Sequence, residues 1–274
     1  MGVAGKLNGI ACYQVAKRSG VEKQLIDTYT GAVENSPAPI CYFTCESDSG
    51  TGTTITDDSE STNAHNASMS GSTWYSADPA FGSYSVATSN GNTTTVADHA
   101  DLDLDYNDPW TLSIYIKHTG TDYAGLYVKR DTGAGDYRGI AVFIFGGKLQ
   151  IYIVNTWGTV GVDDASILVV GTTAINDDAW NHVVITYDGS TNASGVTATI
   201  NGSGETLSVS GGHDTLGNDT TTNAVAAALG NASDTSAFEL GGWDELALFP
   251  VELTSGQITT LYNSGSAIDV SRGL

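Results

Sequence analysis

The sequence has few basic residues. Ten lysines and arginines stand against 31 aspartates and glutamates in 274 residues, which gives a formal net charge of −21. A surface this negative repels phosphate backbones, so we expect the protein not to bind nucleic acid. The charge is unevenly distributed, because residues 1–40 contain four basic and three acidic side chains. An almost neutral N-terminal segment therefore precedes a strongly acidic remainder.

Cysteine is also scarce, with only Cys12, Cys41 and Cys45 in the chain. If residues 41–45 form a strand, the Cα atoms of Cys41 and Cys45 lie about 13 Å apart at ~3.3 Å per residue. A disulfide needs a separation below about 7 Å. We therefore expect free thiols and folding inside a cell.

Long apolar runs are absent from the sequence. A membrane-spanning helix needs about 20 consecutive apolar residues, and a signal peptide needs an apolar core near the N-terminus. We expect neither membrane insertion nor conventional secretion.

Residues from Ile40 onward carry the signals of short antiparallel strands. The 33 glycines and the abundant Ser, Thr and Asn favour many turns. In segment 110–117, Trp110, Leu112, Ile114 and Ile116 are apolar and alternate with residues that we expect to face solvent. Strand-like segments 140–145 and 148–154 flank Gly-Gly, a two-residue hairpin signal. Segments 180–187, 196–200 and 238–249 are further predicted strands. The pattern predicts an all-β antiparallel sandwich or jelly roll.

A single short helix is predicted near the C-terminus. Thr254 and Gln257 have the spacing of a capping box, and Leu253 and Ile258 occupy the positions of a hydrophobic staple. We expect the helix to end at Gly265 and to cover part of the sandwich.

A domain boundary is predicted at the segment Ser36-Pro-Ala-Pro39, because the two prolines stiffen the chain and break any helix. Residues 1–39 would form an N-terminal docking arm, and residues 40–274 would form the sandwich.

Two motifs resemble those of a known family. They are Trp180-Asn-His-Val-Val-Ile-Thr-Tyr-Asp-Gly189 and Gly241-Gly-Trp-Asp-Glu-Leu-Ala-Leu-Phe249, the latter followed by the capped helix. Together with the opening Cys41-Tyr-Phe-Thr-Cys45, they resemble a laminin-G-like domain of the concanavalin A-like lectin/glucanase superfamily. The resemblance implies a jelly roll whose relatives mostly bind surfaces and sugars.

A structural calcium ion is implied by the same resemblance. In the family, the aspartate of the late Gly-x-x-Asp strand often binds calcium with backbone carbonyls, which matches Asp244 here, with Gly91 as one carbonyl. The alternative is that Asp244 caps a loop. A second acidic cluster, the five aspartates within residues 98–108, could also suit calcium or form a solvated loop.

Sugar binding requires exposed aromatic rings beside polar groups. Trp157 and Tyr137 lie in predicted loops and are the candidate ligand-binding residues, unless they pack beneath those loops. The other candidates, Trp110, Trp180 and Trp243, are predicted to lie in the core.

No catalytic residue is assigned from the sequence. Retaining glucanases on this scaffold need three acids at i, i+2 and i+5 of one strand. Glu46 and Asp48 supply two, but Thr51 occupies the third position and the segment looks like a turn. A glycan hydrolase is therefore disfavoured, and the five histidines have neither catalytic nor zinc spacing.

The N-terminal arm offers a second resemblance. Residues 24–32, Gln-Leu-Ile-Asp-Thr-Tyr-Thr-Gly-Ala, are similar to a stretch found ahead of lectin-like domains in tailed-phage structural proteins. This resemblance implies a non-enzymatic virion protein, made in the host cytoplasm, that decorates a capsid or associates with a tail. Its arm would contact other virion proteins or copies of the same chain, and its jelly roll could adhere to glycans. The alternative is a free carbohydrate-binding module of a cell-surface or exported system.

Overall fold

The chain divides into two compact units, Met1–Asn35 and Ser36–Leu274. The computed structural model describes residues 6–7, 10–11, 37–48, 50–75, 77–88, 92–133, 135–230, 241–271 and 273–274. In the first unit, strands β1 (Lys6–Leu7) and β2 (Ile10–Ala11) pair antiparallel. Segment 24–32, on which the phage resemblance rests, lies outside the described residues.

The second unit is built from short strands. Those of its first part are β3 (Cys41–Phe43), β4 (Thr54–Ile55), β5 (Ala67–Ser70), β6 (Thr73–Tyr75), β7 (Ser85–Ala87) and β8 (Thr93–Val96). The later ones are β9 (Trp110–Thr119), β10 (Ala124–Asp131), β11 (Arg138–Phe145), β12 (Lys148–Thr156), β13 (Ala165–Gly171), β14 (Asp177–Tyr187), β15 (Val196–Ile200), β16 (Ser203–Gly204), β17 (Leu207–Thr215), β18 (Ala227–Leu229) and β19 (Gly242–Phe249). One α-helix, α1 (Ser255–Tyr262), follows in the described residues.

These strands form two antiparallel sheets that enclose one core. The nine-stranded sheet has the order β17-β13-β12-β11-β10-β18-β8-β5-β4. The eight-stranded sheet has the order β16-β15-β14-β9-β19-β7-β6, with β3 also paired to β19. Apolar side chains from the inner faces of both sheets form a single buried cluster. The predicted sandwich with one short helix is confirmed.

Strand β9 lies at the centre of the eight-stranded sheet, between β14 and β19. Its even-numbered residues 110–116 are at most 1 % exposed and face the core, as predicted. The prediction that its odd-numbered residues face solvent is wrong, since Thr111, Ser113 and Tyr115 are buried as well. Thr111 Oγ1 donates to the carbonyl of Val251 at 2.8 Å, so the chain leading into α1 covers this face.

Helix α1 and the C-terminal segment form the layer over the eight-stranded sheet. Ile258 and Leu261 of the helix and Val270 beyond it pack against Val184 and Phe249 of the sheet. The capping box is confirmed. The helix ends at Tyr262, because Asn263 adopts the left-handed C-cap conformation, and not at Gly265 as expected. No helix in the described part of the chain is long and apolar enough to cross a bilayer.

The hairpin predicted at Gly146-Gly147 is confirmed. Phe145 pairs with Lys148 across Gly146-Gly147, and both glycines have positive φ angles, of 61° and 74°. Such angles suit the tight turns whose twist matches that of the flanking strands. Strands β14 and β15 likewise pair antiparallel, with Tyr187 opposite Val196.

Tryptophan placement departs from expectation at one position. Trp110 and Trp243 lie in the core, at 1 % and 0 % exposure. Trp180 is half-buried, because it pairs with Lys117 and therefore lies on the outer side of its sheet. Its indole Nε1 donates to the carbonyl of Asp78 at 3.1 Å.

The cysteines in the described residues are free. Cys41 and Cys45 are both buried and unbonded to each other, and burial raises the pKa of each thiol. Cys12 lies outside the described residues. Buried, protonated thiols react slowly, so these two side chains serve as small apolar core residues.

The edges of both sheets are short or interrupted. Edge strands β4 and β16 have two residues each and β6 has three. The longer edge strand β17 contains a register shift opposite Ile167 and Val169, where Gly211 and Gly212 have positive φ angles of 64° and 86°. No described edge therefore offers a long regular row of backbone groups.

Substituting Thr254 with alanine should destabilise the domain by about 1 kcal/mol, because Thr254 Oγ1 accepts from the Gln257 amide at 3.3 Å. Urea unfolding followed by circular dichroism measures this loss. The control Thr260→Ala changes an exposed threonine in the same helix and should stay within about 0.5 kcal/mol of the unmodified protein. Equal losses in both variants would contradict the capping role.

Candidate functional site

The outer side of the nine-stranded sheet carries a cluster of aromatic side chains, which we call the aromatic face. It consists of Tyr123, Tyr137, Phe143, Phe145, Tyr152 and Trp157, with Arg130 and His213 packed among the rings. Strand alternation explains the arrangement. Ile140, Val142 and Ile144 of β11 enter the core, so Phe143 and Phe145 project from the opposite side.

The rings contact one another in a row across β11 and β12. Phe145 is 41 % exposed and stacks on Tyr123 with a centroid distance of 4.0 Å. Phe143 meets the edges of Tyr123 and Tyr152, each at 5.8 Å. These edge-to-face and stacked geometries are favourable for aromatic pairs. The row is therefore a fixed surface that keeps part of its apolar area in contact with solvent.

Arg130 places a positive charge within this surface. Its guanidinium carbon lies 5.2 Å from the ring centroids of Tyr137 and Phe143 and 5.7 Å from that of Tyr152. Cations within about 6 Å of an aromatic ring are attracted by its electron-rich face. The guanidinium group therefore holds the strand residues and the loop residue Tyr137 together.

Trp157 is half-buried at one end of the aromatic face. Its indole stacks on the imidazole of His213, with centroids 4.1 Å apart and planes 15° apart. The imidazole is itself fixed, since its Nδ1 lies 2.8 Å from Ser166 Oγ and 3.1 Å from an Asp164 carboxylate oxygen. A ring supported in this way can contact a ligand without first losing conformational freedom.

The two predicted ligand-binding residues lie on the same side of the same sheet. The backbone amide of Trp157 donates to the carbonyl of Asp136 at 2.9 Å, which connects its loop to the one that carries Tyr137. Tyr137 is 39 % exposed, and its φ angle of 55° is unusual for a residue other than glycine. Such backbone conformations are costly and are often found at functional sites.

Sequence reasoning missed the other members of the aromatic face. Tyr123, Phe145, Tyr152 and Arg130 were not among the predicted ligand-binding residues. The alternation in 138–145 contained the signal for Phe145, because the same period that sends Ile144 into the core sends its neighbours outward.

Polar groups border the rings. Tyr152 donates its hydroxyl to Gln150 Oε1 at 2.9 Å. Burial and the neighbouring Tyr123 raise the pKa of Tyr152 to about 12, which keeps the hydroxyl in the neutral form that donates to Gln150. Apolar rings beside neutral and charged hydrogen-bonding groups form the combination that sugar rings require.

A groove beside helix α1 is the main alternative site. It has a volume of about 640 Å³ and lies between β14–β16 and the helix. Five of its 13 described lining residues are threonines, two are Glu205 and Glu252, and none has an aromatic ring. The Glu205 carboxylate is engaged by the backbone amide of Thr173 at 2.8 Å. The groove therefore lacks the stacking surfaces that distinguish the aromatic face.

Asp244, the predicted calcium ligand, is fully buried. Its carboxylate accepts from the backbone amides of Ala80, Phe81 and Glu245 at 2.9–3.2 Å. Burial and the charge of Glu245 raise the pKa of Asp244 to about 8. These contacts are those expected of a loop cap. Gly91 lies outside the described residues, and calcium binding by the pair stays a prediction.

The aspartates of residues 98–108 bind separate partners. Lys129, itself 4 % exposed, places its Nζ 2.6 Å from Asp98 and 2.9 Å from Asp103. Asp105 instead accepts from the backbone amide of Thr221 at 2.8 Å. These three carboxylates therefore do not converge on a shared ion.

The acids considered for glycan hydrolysis cap turns. Glu46 accepts from the amides of Ser83 and Tyr84, both at 2.8 Å, and Asp48 accepts from the amide of Thr56 at 2.7 Å. Backbone amides already occupy oxygens of both carboxylates, as expected for residues that organise turns.

A second pair with the chemistry of a nucleophile and a base lies beneath α1. Ser113 Oγ and His182 Nε2 are 2.9 Å apart, but both residues are buried and His182 Nδ1 has no hydrogen-bond partner among the described residues. Nucleophilic serine sites need a group that orients the base. The pair is therefore part of the packing between the sheet and its covering layer.

Comparison with known proteins identifies the fold family. A family model described as the concanavalin A-like lectin/glucanases superfamily, of the laminin G type, matches residues 87–259. No curated protein matches the sequence.

Solved structures with the same fold include toxin binding domains. The binding domain of Paraclostridial mosquitocidal protein 1 has a TM-score of 0.62 at 15 % identity, over 83 % of this chain and 52 % of that one. The binding domain of botulinum neurotoxin serotype G has a TM-score of 0.57 at 15 % identity, over 82 % and 50 %. The ligand binding domain of serotype D, in complex with N-acetylneuraminic acid, has a TM-score of 0.55 at 12 % identity, over 82 % and 50 %. The chain thus spans about half the length of each.

The contribution of His182 to stability should become unfavourable as the pH falls, opposite in sign to the contributions of Asp244 and Glu245, whose pKa values are raised. Burial lowers the pKa of His182 to about 4, whereas an unfolded histidine has a pKa near 6.5. The unfolded state therefore binds a proton first as the pH falls, and stability that is complete above pH 6.5 is lost towards pH 4, by roughly 3 kcal/mol.

Urea unfolding of the unmodified protein and of His182→Gln between pH 4 and 8 checks this dependence. The difference in stability between the two proteins should shift in favour of the variant by roughly 3 kcal/mol between pH 6.5 and 4, and the two curves should run parallel between pH 7 and 8. Identical slopes over the whole range would contradict the role of His182.

Proposed function

Because the chain belongs to the concanavalin A-like lectin/glucanase superfamily, whose model matches more than half of it, we propose that it is a non-enzymatic module that binds glycans through the aromatic face. The observation that carries this proposal is the row of contacting rings, with Arg130 among them, on the outer side of the nine-stranded sheet, where Tyr137 and Phe145 are exposed. Flat rings can stack on the apolar faces of sugars, and the bordering polar groups can hydrogen-bond hydroxyls.

The solved relatives favour a sugar over a protein ligand. One was solved with N-acetylneuraminic acid, and another is described as depending on two ganglioside molecules for cell entry. Both properties belong to toxin domains about twice as long as the matched region, so they support glycans as a class and no particular sugar.

The contacts of the candidate catalytic groups support a non-enzymatic role. Glu46 and Asp48 cap turns, and the Ser113–His182 pair is buried beneath the C-terminal layer. None of these groups lies on the aromatic face, so a bound sugar would not meet them.

Replacing Trp157 or Tyr137 with alanine should weaken glycan binding by at least roughly two- to ten-fold, since an aromatic contact contributes ~0.5–1.5 kcal/mol beyond its buried area and ~1.4 kcal/mol is ten-fold in Kd. A glycan array with the purified protein identifies the ligand, and calorimetry with that ligand measures the loss.

Trp74→Ala is the matched control, because Trp74 is also half-buried but lies on β6 of the other sheet. It should bind as the unmodified protein does. Equal weakening by all three substitutions, or binding by none of the array glycans, would contradict the proposal.

We further propose that the module is displayed on a phage virion, attached to other virion proteins by its N-terminal unit. The separation of Met1–Asn35 from the remaining chain supports this second function, as does the contrast between an almost neutral arm and an acidic body. The protein would be made in the host cytoplasm and project its jelly roll from a capsid or tail. The alternative is a free carbohydrate-binding module.

Deleting residues 1–35 should abolish incorporation into particles and leave the jelly roll folded. Incorporation is measured by sedimenting particles from cells that express either form and probing them for the protein. Circular dichroism of the purified truncated form checks its folding. Normal incorporation of a folded truncated protein would contradict attachment through the arm and favour the free module.

A further inference from the structure

Two histidines and an aspartate that are not part of the aromatic face converge where strands β5 and β8 leave the nine-stranded sheet. His65 Nε2 lies 3.0 Å from an Asp101 carboxylate oxygen, and His99 Nδ1 contacts the other oxygen of the same carboxylate. One ligand atom from each of the three side chains lies within 4.8 Å of the other two. The two imidazole rings meet edge to face with centroids 5.2 Å apart.

Strand pairing brings these residues together. Ala67 of β5 pairs with Val96 of β8 in an antiparallel register. His65 lies two residues before Ala67, and His99 lies three residues after Val96, so both leave the sheet at the same point. Asp101 follows within a 3-10 turn, Ala100–Leu102, whose Leu102 is anchored in the core.

The cluster is held by groups around it. His65 is 4 % exposed, and its backbone amide donates to an Asp57 carboxylate oxygen at 2.8 Å. Asn63 Nδ2 donates to Asp101 at 3.1 Å. Hydrogen bonds of this kind to a carboxylate orient it for a metal ion. His99 is exposed, which leaves a path for an ion from solvent.

We propose that His65, His99 and Asp101 bind a zinc-class transition metal ion that connects the loop after β4 to the loop after β8. Two imidazoles and a carboxylate are ligands that zinc prefers, whereas calcium and magnesium prefer oxygen ligands alone. Ligands of a tetrahedral zinc ion at ~2.0–2.2 Å stand about 3.4 Å apart. The His65 and Asp101 ligand atoms, 3.0 Å apart, are near this spacing, and the exposed His99 can adjust by rotating its side chain.

The local charge favours a cation. The chain carries a formal charge of −21. The buried Lys129 forms ion pairs with Asp98 and Asp103, which precede and follow Asp101 in the sequence. In the ion's absence, the two histidines can instead donate to Asp101, which makes a plain hydrogen-bonded cluster. The experiment must separate these two states.

The proposal is tested by calorimetry. The full chain is first stripped of metal with a chelator and is then titrated with Zn²⁺. We expect each chain to bind one Zn²⁺ ion through these residues. His99→Ala and Asp101→Asn should each lower the affinity about 100-fold or more, because loss of a mere outer-shell partner already costs ~10- to 100-fold. Co²⁺ in place of Zn²⁺ should give the visible absorption bands of a low-symmetry, four-coordinate ion in the unmodified protein and not in His99→Ala.

His213→Ala is the matched control, because His213 and Asp164 form a single histidine–carboxylate pair at 3.1 Å without a second histidine. It should bind Zn²⁺ as the unmodified protein does, and a thousand-fold excess of Ca²⁺ should not compete. His99 is exposed, so its variant should keep its circular dichroism spectrum. Zn²⁺ affinity that is equal in the unmodified protein and His99→Ala, or lost equally in His213→Ala, would overturn the site and leave the hydrogen-bonded cluster.

Discussion

Burial of both faces of the eight-stranded sheet is the constraint on which the rest of the structure depends. Its inner face contributes to the core, and its outer face is covered by α1 and the C-terminal segment, which pack on residues such as Val184 and Phe249. Within the described residues, no such layer lies over the aromatic side chains of the nine-stranded sheet, and Phe145 and Tyr137 are exposed. There, the rings are stabilised by one another and by Arg130. The proposed binding surface is thus the sheet face that the covering layer leaves open.

The acidic side chains of this protein organise its loops. Glu46, Asp48 and Asp57 each accept hydrogen bonds from backbone amides of neighbouring loop residues. Hydrogen bonds to an ionised carboxylate are about twice as strong as those between neutral groups. Glycine-rich loops have many amides that no strand partner satisfies, and carboxylates supply the missing acceptors. Much of the negative charge therefore has a structural use, apart from any effect on solubility.

The sequence predicted the sandwich, the hairpin at Gly146-Gly147 and the capping box at Thr254, because each depends on local periodicity or turn chemistry. It failed where a distant element decides the environment. Tyr115 alternates like a solvent-facing residue but is buried because a later segment covers it. Trp180 lies outside the core because its partner is Lys117, and pairing between strands far apart in sequence has no local signal. For the same reason, the convergence of Trp157 with Tyr152 and His213 could not be inferred.

The short and interrupted sheet edges have a consequence for crowding. A long free edge is a template on which a second molecule can add a strand, and this reaction leads to aggregates. Strands of two residues, such as β4 and β16, give too few backbone hydrogen bonds for templating, and the glycine bulge of β17 twists its edge out of register. Many copies of this domain could therefore stand side by side at high local density and remain separate folded units.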